Sequence, residues 1–144
     1  MIQRYMQKIS GPLMDRIDIH IDVPAVNYKE MRAAAEPEGS NRIRERVVKA
    51  REIQLRRFSC ETRTKIYSNA QMTSRNIRSF CELSPDCERL LERAMSQQRL
   101  TARAHDRILK VASTVADLEG SEAIEPKHIA EAIQYRSLDR VFWA

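Results

Sequence analysis

The sequence predicts a mainly α protein: a helical bundle over residues 42–144, preceded by a short strand-containing segment. Three observations carry this. Only three glycines and five prolines interrupt 144 residues, while arginine, glutamate, alanine and leucine, all good helix formers, are abundant. Helix punctuation recurs after residue 80: Ser84-Pro85-Asp86, Thr101 before Ala102, Gly120, and Glu125-Pro126, where caps, a first-turn proline and a terminal glycine belong. Near the amino terminus one stretch alternates strictly. Ile17, Ile19, Ile21 and Val23 share one face and Asp18, His20 and Asp22 the other, the period-two pattern of a strand with one buried face. Pro24 cannot donate to a ladder and closes it.

Taken in order, residues 1–8 form a short amphipathic piece with Ile2, Tyr5 and Met6 on one side. The turn Ser10-Gly11-Pro12 leads through Leu13 to Arg16, which sits immediately before the strand. A lone strand cannot make a sheet, so the sequence is expected to be a portion of a larger domain. Tyr28 to Met31 fit one helical turn, and Ala33 to Asn41, with Pro37, Gly39 and Ser40, read as a linker. The expected division is therefore 1–31, a linker over 32–41, and a helical domain over 42–144.

In that domain Ser40 or Asn41 caps a helix from Arg42 to about Ser59, with Ile43, Val47, Ala50 and Phe58 on one side. After an irregular stretch, Thr73 or Ser74 caps a helix to Cys81, and Ser84-Pro85 opens one to about Gln98 over Leu90, Leu91, Ala94 and Met95. The longest helix runs from Ala102 to Glu119 over Ala104, Ile108, Val111, Ala112 and Val115. A last one follows Pro126 to Tyr135 over Ile129, Ala132 and Ile133, and the tail carries Val141, Phe142 and Trp143.

The net charge of +5 leaves room for an anionic partner without choosing one. Nine basic residues face three acidic ones between Arg42 and Lys65. Arg42, Arg46, Lys49 and Arg56 share a helical side there, read either as a solvated face with Arg–Glu pairs or as a phosphate-backbone contact. No apolar run is long enough to span a membrane, which suits a cytoplasmic protein. Cys60, Cys81 and Cys87 lack metal-ligand spacing and fit reduced packing residues. His20, His105 and His128 are too scattered for a metal set.

The run Lys8-Ile9-Ser10-Gly11-Pro12-Leu13-Met14-Asp15-Arg16-Ile17-Asp18-Ile19-His20 resembles a segment of the magnesium-chelatase-like AAA+ ATPases, the ComM (YifB) family. Its Asp-Arg-Ile-Asp is more distantly similar to the Ser-Arg-Phe-Asp segment of MCM helicases. Three later blocks resemble the same family: Asn69 to Met72, Leu100-Thr101-Ala102-Arg103 through Leu118-Glu119-Gly120-Ser121, and His128 to Arg136. The resemblance implies the end of an α/β ATPase core followed by a helical lid, in a protein that forms a ring, a hexamer, and couples ATP hydrolysis with Mg2+ to DNA remodelling or branch migration.

It also implies two site residues. Arg16 corresponds to an arginine finger reaching the γ-phosphate bound in the neighbouring subunit, where a fixed cation stabilises phosphoryl transfer. Its other reading is an ion pair with Asp15, Asp18 or Asp22. Arg103 corresponds to the sensor-2 arginine contacting nucleotide from the lid, in a first turn whose amides favour anions; its other reading is pairing with Asp106 or other acids nearby. Arg107, one turn on, is a second candidate. There is no GxxxxGK[ST] loop and no acidic strand end to hold magnesium. This chain alone is expected neither to bind ATP tightly nor to hydrolyse it. The alternatives are a non-catalytic helical module that binds nucleic acid or a protein through residues 42–65, and a lid used for assembly.

Overall fold

Thr101 sets where the central helix begins: its hydroxyl accepts the Ala104 N–H at 3.1 Å, and Gly120, at φ 77°, ends the helix in a left-handed conformation that other residues resist. The computed structural model describes Leu13 and residues 16–21, 23–25, 38–60, 65–98 and 100–136. Five α-helices lie among them: α1 (Ser40–Phe58), α2 (Ser74–Phe80), α3 (Pro85–Gln98), α4 (Ala102–Glu119) and α5 (Pro126–Gln134), with a 3₁₀ turn at Asn69–Gln71. The mainly α class is as the sequence predicts. The amino-terminal piece to Pro12, the turn at Tyr28–Met31, residues 33–37 of the linker and the aromatic tail lie outside the described residues.

The caps follow local chemistry. Thr73 and Asn76 form a reciprocal box, the Thr73 N–H donating to Asn76 Oδ1 at 2.9 Å and the Asn76 N–H to Thr73 Oγ1 at 3.3 Å. Ser84 Oγ accepts from the Cys87 N–H at 3.3 Å ahead of Pro85. At α5 the Glu125 N–H donates to His128 Nδ1 at 3.0 Å. One cap differs from expectation: Gly39, not Ser40 or Asn41, precedes α1, and no side chain caps it.

Helix α4 packs against α1, α2, α5 and the 3₁₀ turn, and α3 packs on α5. The core joins Phe58 of α1, Ile77 of α2, Leu91 of α3, Ile108, Leu109 and Ala112 of α4, and Ile129 and Ala132 of α5. Phe58 meets Phe80 edge to face with centroids 5.2 Å apart. Cys81 and Cys87 are buried as expected, whereas Cys60 is exposed. Burial pushes the Cys81 thiol up to about 11. No described helix is long and apolar enough to cross a membrane.

Two expected apolar faces turn out otherwise. In α1 every residue from Ser40 to Lys49 is exposed, Ile43 and Val47 included, and burial begins at Ala50. Those two side chains continue the stripe of Ala50 and Phe58, but no described residue covers them. The alternating segment forms no strand among the described residues. Ile21 and Val23 are 66% and 80% exposed while His20 is 6% exposed, so His20, not an isoleucine, is the side chain this segment buries. The physical reason is the one the sequence foreshadows: a strand without a described neighbour has no ladder to join.

A buried polar network ties α1 to α4. The Asp117 side chain has no exposed surface. Arg57 grips both its oxygens, Nη1 donating to Oδ2 at 3.1 Å and Nη2 to Oδ1. Gln54 Nε2 and Asn69 Nδ2 donate to Oδ2 at 3.1 and 2.8 Å. Asn69 Nδ2 reaches Thr114 Oγ1 at 3.0 Å, its N–H donates to Gln54 Oε1 at 3.3 Å, and Arg57 Nη1 also donates to Ser113 Oγ at 3.2 Å. A desolvated charge is tolerated only when so surrounded. Asp117→Ala should therefore cost about 3–5 kcal/mol in chemical denaturation by stranding Arg57, and the apolar pair Arg57→Met with Asp117→Leu should cost less than either single change.

Candidate phosphate-facing site

Arg16 is exposed, and its N–H donates to the Leu13 carbonyl at 3.0 Å, closing a turn ahead of residues 17–21. The sheet lip expected to hold it is not formed among the described residues. The bundle holds the segment instead. Asp18 pairs with Arg107 Nη1, Arg136 Nη1 donates to the Ile17 carbonyl, and the His20 N–H donates to the Tyr135 carbonyl at 2.8 Å. Asp18, one of the acids weighed against Arg16, is thus engaged by Arg107; Asp15 and Asp22 lie outside the described residues.

Arg103 is exposed in the first turn of α4, beside backbone amides that have no carbonyl partner within the helix. Arg107 follows one turn later on the same side. The structure therefore brings Arg16 and Arg103 onto neighbouring segments, since Asp18, two residues past Arg16, meets Arg107, four past Arg103. Asp106, between them, accepts from Ser74 Oγ at 2.6 Å and lies 3.2 Å from His105 Nδ1. Burial and the nearby Arg107 lower the Lys110 ammonium, against the pull of Asp106; its Nζ donates to the Ala70 carbonyl at 3.0 Å. The first turns of α4 thus present positive charge.

The basic run divides. Arg57 is consumed by Asp117, and Arg46 pairs with Glu38 at 2.7 Å, whereas Arg42, Arg44 and Lys49 stand on the exposed half of α1. Sequence reasoning missed the anchoring roles of Arg107 and Arg136. Arg136 closes the last family-like block, and an arginine ending a packing helix was the one available signal.

A family model for "Magnesium chelatase, subunit ChlI C-terminal" matches residues 37–136. The chain belongs to the magnesium chelatase ChlI family, in its C-terminal portion. A second ChlI model matches residues 1–31. Competence protein ComM of Haemophilus influenzae is 39% identical over 141 residues, and YifB of Escherichia coli 36% over 139; these alignments take in 97% and 96% of the chain. The chain spans 26% of the length of each relative.

The ChlI family suggests ATP and Mg2+ as ligands of the parent protein. The exposed guanidinium of Arg16 and the cationic start of α4 suit phosphate oxygens. Magnesium needs carboxylates or phosphate oxygens, and among the described residues no group of three or more His, Cys, Asp and Glu side chains could hold a metal. These residues fit the phosphates rather than the ion.

Asp106 also gives the site a pH dependence. Burial pushes its carboxyl up, but the hydrogen bonds from Ser74 and His105 outweigh it and hold the group below its ordinary value of 3.8. Its contribution to stability is therefore complete above that value and is lost as pH falls through the lower folded value. Melting temperatures followed into the acid range should fall less steeply for Asp106→Asn than for the unaltered chain.

Proposed function

We propose that this chain is the end of the α/β core and the helical lid of a ring-forming AAA+ ATPase that couples ATP hydrolysis to DNA remodelling. Residues 1–31 are assigned to the core, 32–41 to the linker and 42–144 to the lid. The observation that carries the reading is the docking of the Arg16 segment on the first turns of α4, together with the ChlI-family match over residues 37–136. Arg16 serves as the finger toward phosphate bound by a neighbouring subunit, and Arg103 as the lid contact to phosphate in its own. Bound ATP with Mg2+ supplies the phosphoryl group; the arginines supply fixed positive charge where negative charge spreads over the transferring oxygens. Nucleotide binding and the catalytic water belong to the remainder of the parent protein.

A second reading is favoured by one observation, the exposed basic half of α1. It makes the chain a nucleic-acid-binding module, and it requires tight binding of DNA by this chain alone, weakening with salt by a slope of about 0.9 per phosphate neutralised. Weak binding favours the ATPase reading.

In the full-length protein, Arg16→Ala should lower kcat for ATP by roughly 10³–10⁵. Mixing it with subunits whose phosphate-loop lysine is replaced should restore part of the activity, because each supplies what its neighbour lacks. Normal hydrolysis by Arg16→Ala alone would end the finger assignment.

A further inference from the structure

We propose that Asp18 and Arg107, supported by Arg136, form a clasp that makes the Arg16 segment and the α4 helix bearing Arg103 move as one body. Arg107 and Asp18 are thus positioning residues for the finger. The inference rests on the finger reading of Arg16 and goes beyond it by naming what holds that arginine and what it is coupled to.

The contacts come from α4 and from the residues that follow α5, and converge on Ile17, Asp18 and His20. Arg107 reaches from the second turn of α4 to the Asp18 carboxylate. From the end of α5, Arg136 donates to the carbonyl of Ile17, the residue next to Arg16, and the Tyr135 carbonyl accepts the His20 N–H at 2.8 Å. Arg136 is only 1% exposed. Burying a guanidinium is expensive unless its donors are used, and here one of them fixes the main chain beside the finger. The segment has no sheet partner among the described residues, so these contacts satisfy backbone groups that a ladder would otherwise take.

The geometry gives the clasp a consequence. Arg103 and Arg107 are one helical turn apart on a single rigid helix, and Asp18 is two residues from Arg16. A displacement of α4 when Arg103 meets phosphate is carried by Arg107 to Asp18, and from there to Arg16. In a ring, the occupancy of one nucleotide site then sets the position of the finger aimed at the next.

The test uses the full-length protein with Asp18→Asn, Arg107→Gln and the swap Asp18→Arg with Arg107→Asp. Each single change should lower kcat about ten- to hundredfold, the scale of a small misplacement of a catalytic group, with little change in KM. The swap should recover most of the loss, which a role in folding alone would not produce. Singles that match the unaltered protein overturn the clasp. So does a swap no better than the singles, and so does a defect in Arg107→Gln without one in Asp18→Asn, which would place Arg107 on phosphate directly.

Hydrogen exchange at the His20 amide gives a readout independent of hydrolysis. Arg107→Gln should speed it about tenfold without lowering the melting temperature, as expected for local opening; an unchanged amide overturns the clasp. If Arg16→Ala hydrolyses ATP normally while the His20 amide still loosens, the finger reading fails and the clasp survives as an anchor.

Discussion

The Asp117 carboxylate is the constraint on which the bundle depends. A carboxylate with no exposed surface must be met by donors from several directions, and here they come from α1 and from the 3₁₀ turn. Arg57 and Gln54 fix the rotation of α1 about its axis, and Asn69 fixes the 3₁₀ turn that leads to α2. With those elements set, the orientation of α4 is set too. Asp117 lies near the carboxyl end of that helix and Arg103 and Arg107 near its amino end. One helix is therefore locked into the core at one end and presents cations at the other.

The parts of the fold legible in the sequence were those decided locally. Thr101, Gly120, Ser84-Pro85 and Glu125-Pro126 act within one turn, and the helices begin and end where those residues require. What was not legible depended on distant partners. Gln54, Asn69 and Asp117 are polar residues that the periodicity of the sequence does not place in the core, yet each is buried because the others satisfy it. Ile43 and Val47 obey the periodicity of α1, but periodicity gives a face and not its cover. The isoleucines of the alternating segment failed for the same reason, since a strand is defined by its neighbour as much as by its own pattern.

The candidate site shows the same division. Arg16 and Arg103 were singled out from the family-like blocks that contain them, and the structure leaves both exposed. Their relation to each other was invisible, because it runs through Asp18 and Arg107, residues far apart in the chain. The structure also divides the basic run: Arg57 is turned onto the buried Asp117, while Arg42, Arg44, Lys49, Arg51, Arg56 and Lys65 remain exposed.

On the proposed reading, the bundle is a frame that carries Arg16 and Arg103 toward a site completed by the rest of the parent protein. The most direct test is the structure of the full-length protein assembled with a non-hydrolysable ATP analogue. The Arg16 guanidinium should lie about 3 Å from γ-phosphate oxygens held by the neighbouring subunit, the distance of a charge-assisted hydrogen bond, with Asp18 still on Arg107. An Arg16 side chain folded back onto a carboxylate of its own subunit, away from any nucleotide, would contradict that reading.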